Sequence, residues 1–188
     1  MRAPWHSSAD DRGEGGIDQG GIDVVIDPGQ AFGTGAHPTT RLCLELLLDM
    51  TEDAPGVLGP FSDLGCGSGV LAIAAAKLGF GPIVAVDNEQ AAVEATLANA
   101  SANGVTLERV ERYDLRAGPA PVAPVTVANL VRPLLLKVAE LLPEQPEALI
   151  VSGLLEGEED EVAAAFARLR ERRRRRLQGW SALLLTPP

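Results

Sequence analysis

A glycine-rich turn between two apolar runs constrains the fold of this chain more than any other feature. Residues 57–64 are typical of a strand, although Gly59-Pro60 interrupts it, and the turn Asp63-Leu64-Gly65-Cys66-Gly67-Ser68-Gly69 leads into the apolar run Val70–Leu78. Glycine adopts positive φ at little cost and carries no side chain, so a ligand can lie against its backbone. The turn therefore predicts a strand–turn–helix unit in which free N–H groups at the helix start face a ligand.

A carboxylate at the end of the next apolar run adds a second constraint. Ile83–Val86 predicts a second strand, and Asp87 follows it, 22 positions after Gly65. A carboxylate at this spacing can accept hydrogen bonds from both hydroxyls of an adenosine ribose. Together the two features predict a pocket for a nucleoside cofactor. The alternative is a glycine-rich turn that binds nothing.

The spacing of the glycines separates two classes of cofactor. Dinucleotide-binding folds use G-x-G-x-x-G, whereas this turn is G-x-G-x-G and continues with Val70. A carboxylate at Asp63 would repel a pyrophosphate but tolerate a cation. S-adenosyl-L-methionine has an adenosine, no phosphate, and a cationic sulfonium and ammonium, so it fits better than a nicotinamide dinucleotide. The candidate cofactor contacts in the turn are Asp63, Gly65, Gly67 and Gly69.

Alternation of strand-like and helix-like segments predicts an α/β fold. Residues 1–20 are polar and indicate a flexible lead-in, so we expect one domain over 21–188. Such alternation implies a mostly parallel sheet with helices on both faces and ligands beyond the carboxyl ends of its strands. The further predicted segments are strands at Ile22–Ile26, Thr106–Arg112, Val125–Ala128 and Ala148–Ser152, helices at Thr39–Met50, Glu89–Asn103, Pro133–Leu142 and Glu158–Arg170, and a closing hairpin of Arg173–Gln178 with Trp180–Leu185.

Two polar residues are predicted to lie just beyond strand ends. Asn129 follows Val125–Ala128, where its amide can accept a hydrogen bond from an incoming amine. The alternative is that it caps the helix that begins near Pro133. Asp114, with Tyr113, follows the third strand and could approach an adenine ring.

The segment of residues 29–40 is a poor hydrophobic strand but a good loop over a ligand, because it contains three glycines, hydroxyl groups and one histidine. Phe32 could cover the cofactor or fill the core. His37 could shape a substrate channel or transfer a proton, or it could make a structural hydrogen bond. Thr39 or Thr40 could cap the helix that follows.

The charge and composition of the chain argue against some classes of function. The net charge is −10 and seven of the sixteen basic residues lie within 168–176, so the remaining body is acidic. An acidic body argues against direct nucleic-acid binding and favours a basic partner. The arginine run predicts a solvated strand or loop whose aliphatic stems cover the core edge, or else a phosphate-binding site. Cys43 and Cys66 have no metal-ligand spacing and suit a reducing cytoplasm. Every long apolar run is interrupted, so no membrane span is predicted.

Several segments of the sequence together resemble a known protein family. Asp27–Thr40, with the sequence D-P-G-Q-A-F-G-T-G-A-H-P-T-T, together with Asp63–Gly69, Asp87 and Asn129-Leu130, is similar to the catalytic domain of the bacterial ribosomal protein L11 methyltransferases. Those are class I enzymes that use S-adenosyl-L-methionine. The resemblance spans about residues 22 to 160. It implies a Rossmann-like, doubly wound sheet of seven strands that ends in an antiparallel hairpin.

The resemblance also implies methylation of lysine side-chain and N-terminal amines on a ribosomal protein. It implies cofactor contacts at Thr40, Gly65, Asp87 and Asn129. Combined with the predictions from the residues themselves, the candidate catalytic residues are Asn129 and His37, and the candidate cofactor contacts outside the glycine turn are Phe32, Gly33, Thr34, Thr40, Asp87, Asp114 and Asn129. No metal site is predicted.

Two departures from the family pattern are expected to matter. No counterpart of the substrate-recognition domain that precedes the catalytic domain is found, and residues 2–5 resemble the end of its linker. After Asn129 the proline comes at Pro133, one residue closer than the commonest family spacing, so the substrate-side geometry should differ. Three alternatives stay open: a methyltransferase for another protein or small-molecule amine, a nicotinamide-dependent oxidoreductase, and a cofactor-binding module without catalysis.

Overall fold

The computed structural model describes residues 21–27, 37–53 and 58–188. These residues form one sheet of seven strands in the order β3-β2-β1-β4-β5-β7-β6. The strands are β1 Phe61–Leu64, β2 Ile83–Asp87, β3 Arg109–Arg112, β4 Val125–Asn129, β5 Ala148–Leu155, β6 Arg170–Leu177 and β7 Trp180–Thr186. The helices are α1 Pro38–Asp53, α2 Val70–Leu78, α3 Gln90–Ala102, α4 Arg132–Glu140 and α5 Glu159–Ala165.

Five strands of the sheet are parallel and the last two form an antiparallel hairpin. β1 to β5 pair in parallel, and β7 lies antiparallel between β5 and β6. This arrangement confirms the predicted doubly wound α/β fold with its C-terminal hairpin. The chain order reverses between β1 and β4, where Leu64 pairs with Ala128. Crevices at such a reversal are where α/β sheets bind ligands.

Helices cover both faces of the sheet because β-strand side chains alternate between two apolar layers. Leu42 and Leu46 of α1 and Ile73 of α2 are fully buried against one face. Leu135 of α4 and Val162 of α5 are buried against the other. Each such side chain contributes roughly 1.5–3 kcal/mol by its burial.

Glycines define both ends of α2. Gly69 precedes the helix at φ 82° and Gly79 follows it at φ 98°, and the Gly79 N–H donates to the carbonyl of Ala76. The helix between them is apolar and six of its nine residues are buried. The predicted bounds of this helix are confirmed. They could be predicted because a flanking glycine ends a helix through its own local backbone conformation.

The prediction of a first strand at Ile22–Ile26 is wrong. Only Val25 makes an isolated bridge, and this segment is held by a side chain instead. Asn103 accepts the Val25 N–H on Oδ1 at 2.8 Å and donates from Nδ2 to the Val25 carbonyl at 2.6 Å. The segment is therefore tied to α3 as extended backbone outside the sheet.

The last helix is shorter than predicted. α5 ends at Ala165, and Phe166 and Leu169 are buried beyond its end, where the Leu169 N–H donates to the Phe166 carbonyl at 2.8 Å. Arg170 consequently begins β6 rather than ending the helix.

The arginine run forms the edge strand β6, and four of its arginines pair with carboxylates, two on each face. Arg173 and Arg175 pair with Asp49 of α1, at 2.9 and 2.6 Å. On the opposite face Arg174 pairs with Asp160 at 2.6 Å and Arg176 with Glu159 at 2.7 Å. The prediction of a strand is confirmed. These four guanidinium groups already have carboxylate partners, so the alternative that the arginine run binds phosphate has no support.

The remaining predictions on composition concern cysteines, metals and membranes. Cys43 and Cys66 are buried free thiols. Within the described ranges no cluster of His, Cys, Asp or Glu is arranged to hold a metal ion. None of the described helices has the length and apolar character needed to cross a membrane. The predicted lead-in of residues 1–20 lies outside the described residues.

Candidate cofactor site

A cavity of about 710 Å³ opens at the carboxyl ends of β1, β2 and β4. This is the edge of the sheet where the sequence places the ligand. Residues at or just after the ends of these three strands and of β3 supply most of its wall, and α4 supplies the rest. The lining residues are Gly65, Gly67, Asp87, Asn88, Tyr113, Asp114, Leu115, Arg116, Asn129, Leu130, Val131, Pro133, Leu134 and Lys137.

The glycine turn needs glycine at two positions for close packing. Gly65 has φ 80°, and a Cβ there would lie 2.3 Å from Cδ2 of Leu130. Gly69 has φ 82°, and a Cβ there would lie 2.8 Å from Cγ2 of Thr96. Real Cβ atoms do not approach other atoms this closely, so a side chain at Gly69 would push against α3, and one at Gly65 would force the Leu130 side chain to move.

The N–H groups of the turn are used inside the protein, contrary to the expectation that they face a ligand. Gly65 and Cys66 donate to the carbonyl of Val86 at 2.8 and 3.0 Å, and Gly69 donates to the Cys66 carbonyl at 2.8 Å. The Gly67 N–H donates to Asp87. The turn therefore offers a bare backbone surface rather than a set of donors, which suits a ligand without phosphate.

Asp87 is held by two backbone hydrogen bonds at the end of β2. Its Oδ2 accepts the Gly67 N–H at 2.9 Å and its Oδ1 accepts the Glu89 N–H at 3.0 Å. Both oxygens keep a further lone pair for a donor in the cavity. The carboxylate is thus pre-oriented, and a pair of vicinal hydroxyls matches the two oxygens it presents.

Asp63 lies behind the turn rather than in the cavity wall. It is fully buried, and its Oδ2 accepts the Ala72 N–H at 3.1 Å. Its Oδ1 has no hydrogen-bond partner among the described residues. Burial, followed by the nearby charge of Asp87, raises the pKa of this carboxyl to about 7. Its assignment as a direct cofactor contact stays a prediction.

Asn129 and Thr40 are brought together from distant parts of the sequence. Asn129 ends β4, and its Nδ2 is 3.5 Å from Oγ1 of Thr40 in the first turn of α1. Helix α4 is capped by Val131, so the alternative role of Asn129 as a helix cap is wrong. The Asn129 side chain lines the cavity, whereas the buried Thr40 lies behind it.

His37 is fixed by structural contacts at the start of α1. Its Nδ1 is 2.8 Å from Oγ1 of Thr39, and its ring packs edge-on against Trp180 with 4.9 Å between centroids. The helix begins at Pro38, so Thr39 and Thr40 lie inside its first turn and neither caps it. His37 does not line the cavity, and its catalytic role stays a prediction. The candidates Phe32, Gly33 and Thr34 lie outside the described residues.

Tyr113 and Asp114 form the outer part of the cavity wall beside β3. The Tyr113 N–H donates to the Asp87 carbonyl at 2.7 Å, which fixes this loop next to β2. Arg116 donates to both oxygens of Asp114 at 2.8 and 3.1 Å. These hydrogen bonds lower the pKa of the Asp114 carboxyl.

Two residues that support the turn are not predicted by the sequence analysis. Thr96 of α3 donates from Oγ1 to the Gly67 carbonyl at 3.1 Å, and Asn99 donates from Nδ2 to the Ser68 carbonyl at 2.8 Å. Both are buried. Their signal was present, because Thr96, Asn99 and Asn103 repeat at helical spacing on one face, but a polar helix face is ordinarily taken as solvated.

The matches to known proteins agree with this geometry. The family model described as ribosomal protein L11 methyltransferase (PrmA) matches residues 5–186. The chain belongs to this family. Ribosomal protein L11 methyltransferases of Pectobacterium atrosepticum and Dechloromonas aromatica are 42% and 43% identical to it over 154 and 166 residues. These alignments cover 80% and 87% of this chain but 50% and 51% of the relatives, so the chain spans about half the length of the curated relatives it matches.

Two solved structures share the fold of this chain, and one of them is named for the same family. Ribosomal protein L11 methylase from Lactobacillus delbrueckii subsp. bulgaricus is 28% identical, with a TM-score of 0.72 over 87% of this chain and 84% of that one. A tRNA (uracil-54, C5)-methyltransferase from Pyrococcus abyssi, solved with S-adenosyl-L-homocysteine, shares the fold at 19% identity. Its TM-score is 0.66 over 89% of this chain and 42% of that one.

Proposed function

We propose that this chain is the catalytic part of an S-adenosyl-L-methionine-dependent methyltransferase that acts on lysine and N-terminal amines of ribosomal protein L11. The observation that carries the proposal is the Asp87 carboxylate, pre-oriented by the Gly67 and Glu89 N–H groups beside a glycine turn. Membership of the L11 methyltransferase family supports the acceptor.

The residues of the cavity fit this cofactor. Asp87 would accept the two ribose hydroxyls, and Tyr113 and Asp114 would border the base. The turn would lie under the rest of the molecule. Its N–H groups are engaged with Val86, Cys66 and Asp87, so a dinucleotide would find few donors for its phosphates. Asp63 lies on the far side of the turn with its Oδ1 unpartnered among the described residues, and a cationic ligand in the cavity would favour its ionised form.

When bound, the cofactor supplies a methyl group on a sulfonium, which a neutral amine can attack in line. The main task of this chain is then to position the amine. Asn129 lies at the cavity with its Nδ2 toward Thr40, so its Oδ1 can accept a hydrogen bond from the amine and direct the nitrogen lone pair. No residue of the described cavity wall is placed as an obligatory base, so the amine loses its proton to water before attack.

Deprotonation sets the relative ease of the two kinds of acceptor. A lysine amine with a pKa near 10.4 requires about 4–5 kcal/mol to become neutral at pH 7, whereas an α-amine near 8 requires about 1 kcal/mol. Transfer from water into the apolar part of the cavity, beside Leu130 and Leu134, lowers an amine pKa and reduces that cost.

We propose that the domain that precedes the catalytic domain in the relatives recognises the acceptor. In this chain, residues 1–20 would form the linker and residues 21–188 the catalytic domain. We propose that the reaction takes place in the cytoplasm, because its acceptor would be a ribosomal protein. It also gives a basic partner for a chain with a net charge of −10. No nucleic acid or membrane contact is included in the proposal.

Binding and transfer experiments together test the proposal. Calorimetry should show binding of S-adenosyl-L-homocysteine and none of NADH, and the radiolabelled methyl donor should label L11. An unrelated basic protein of similar size serves as the control acceptor. Binding with no transfer to L11, even when the preceding domain is supplied in trans, would identify a binding module. Failure to bind S-adenosyl-L-homocysteine would refute the proposal altogether.

A further inference from the structure

Leu130, the residue after Asn129, is held against β5 by its backbone. Its N–H donates to the Ser152 carbonyl at 3.0 Å. Next to Ser152, Gly153 has φ +86°, and a Cβ there would lie 2.2 Å from the Leu130 oxygen and 2.7 Å from its carbonyl carbon. The β5–β7 pairing shifts register between Ser152 and Leu154, so the strand bulges at this glycine. The loop after β4 therefore crosses β5 at a distance that only glycine permits.

The side chain of Leu130 makes a second close contact, on the opposite side of the cavity edge. Its Cδ2 occupies the space where a Cβ on Gly65 would lie, 2.3 Å away. Gly65 is the first glycine of the turn, at the end of β1. One residue is thus fixed by its backbone to β5 and by its side chain to the turn, and Asn129 lies directly before it.

We infer that Leu130 is a positioning residue: Gly153 lets its backbone lie against β5, which keeps the amide of Asn129 in a fixed place relative to the glycine turn, and Gly65 leaves room for its side chain. This inference rests on the proposed function for its catalytic consequence. Misplacement of a catalytic group by about 1 Å can lower a rate about 100-fold. The two contacts act on different quantities, because Gly153 controls the backbone at Asn129 while the Leu130 side chain forms part of the cavity wall.

The chain contains a matched control for the backbone contact. Gly157 lies four residues after Gly153 and also has positive φ, +99°, but a Cβ there would meet nothing within 4 Å. Alanine at either position suffers the same kind of backbone strain. Only at Gly153 does it also push against the backbone of Leu130, which cannot rotate away as a side chain could.

The first experiment compares Gly153→Ala with Gly157→Ala. Gly153→Ala should lower kcat for L11 at saturating methyl donor at least tenfold more than it lowers the affinity for S-adenosyl-L-homocysteine. Gly157→Ala should leave both within threefold. Equal kcat values for the two variants would overturn the inference.

A second variant separates the side-chain contact and keeps the test valid if Gly153→Ala does not fold. Leu130→Ala keeps the backbone hydrogen bond to Ser152 and removes the side chain that contacts Gly65 and packs against the core beside it. It should weaken S-adenosyl-L-homocysteine binding three- to tenfold, and kcat at saturation should fall by a smaller factor than the affinity. Unchanged affinity, or parallel losses in both quantities, would overturn the inference.

A readout without catalysis separates this inference from the proposed function. Amide hydrogen exchange at Leu130 should be at least tenfold faster in Gly153→Ala than in Gly157→Ala, because the clash breaks the hydrogen bond to Ser152. If the unsubstituted protein transfers no methyl group to L11 and exchange is still faster in Gly153→Ala, the placement is supported and only the proposed function is refuted. Equal exchange in the two variants would refute the placement, whatever the activity.

Discussion

Asn99 links the glycine turn to the segment before α1 through a single buried amide. Its Nδ2 donates to the Ser68 carbonyl at 2.8 Å, and its Oδ1 accepts the Asp27 N–H at 3.1 Å. The side chain is 3% exposed, so water does not replace either bond readily. The shape of the turn therefore depends on a helix that contributes no residue to the cavity wall.

Asn99→Asp should weaken binding of S-adenosyl-L-methionine. The aspartate keeps an acceptor for Asp27 but loses the donor to Ser68 and places a negative charge against its carbonyl. The loss should be about 1–3 kcal/mol, the cost of leaving a buried polar group unsatisfied. Calorimetry measures the affinity, and Asn103→Ala is the control, because Asn103 holds Val25 in the same segment without touching the turn. Equal affinities in the two variants would show that the turn does not need Asn99.

Asp87→Asn should weaken cofactor binding by about 1.5–3 kcal/mol, or roughly 10- to 150-fold, the range of hydrogen bonds to charged groups. The amide presents one acceptor where the carboxylate presents two, and it opposes the Gly67 N–H or the Glu89 N–H with a donor. Glu94→Gln is the charge-matched control, since Glu94 is an exposed residue of α3 that pairs only with Gln90 among the described residues. If the two variants bind the cofactor equally, Asp87 has been assigned the wrong role.

The elements around the turn could be predicted because their signals are local. Gly69 and Gly79 bound α2, and the alternation of apolar strands with helices gave the sheet and its ligand-binding edge. Asp87 was placed correctly at that edge for the same reason, since it directly follows an apolar strand.

Contacts between distant parts of the chain could not be predicted. Asn103 and Val25 are 78 positions apart, so the alternation at Ile22–Ile26 predicted a strand where a side chain from α3 satisfies the backbone instead. The N–H groups of the turn were expected to be free because their acceptor, the Val86 carbonyl, belongs to the next strand. Leu130 between Gly65 and Gly153 is a third case, since three separate segments meet there.

Asp63 should make stability fall as the pH rises from about 4 to 7. Its pKa is about 7 in the folded protein against an ordinary value of 3.8, so between these values the folded state holds a proton that the unfolded state has lost. The stabilisation is complete below pH 4 and is lost as the pH rises toward 7. Asp63→Asn should remove this contribution, roughly 2–4 kcal/mol. Urea unfolding at pH 5 and pH 8 measures it, and an unchanged pH dependence in the variant would contradict the assignment.

The same carboxyl should make cofactor affinity depend on pH in the opposite sense. A cationic ligand favours the ionised form of Asp63, so affinity should increase as the pH rises through 7 and binding should release a proton. The groups near this carboxyl are Asp87, whose charge opposes its ionisation, and the buried thiols Cys43 and Cys66, whose pKa values burial raises. Calorimetry in buffers of different ionisation enthalpy detects the proton. Asp63→Asn should abolish the release, whereas release that persists in the variant would assign the proton to another group.

The edge strand provides a test of stability that is independent of the cavity. Asp49 of α1 is 17% exposed and bonds to both Arg173 and Arg175. Burial alone would raise its pKa, but the hydrogen bonds from Arg175 and Arg173 outweigh burial and lower it.

Asp49→Asn should destabilise the fold by about 1–3 kcal/mol, since two charge-assisted bonds are weakened together. Because the folded pKa is lowered, this contribution is present above about pH 4 and is lost on acidification through the folded pKa. Asp160→Asn is the control on the other face of the same strand, where the carboxylate side chain is 87% exposed and bonds Arg174. An exposed pair of this kind contributes about 0–1 kcal/mol. Urea unfolding at pH 7 compares the two variants. If they lose equal stability, the arginine strand is held by its pairing with β7 alone and not by its ion pairs with α1.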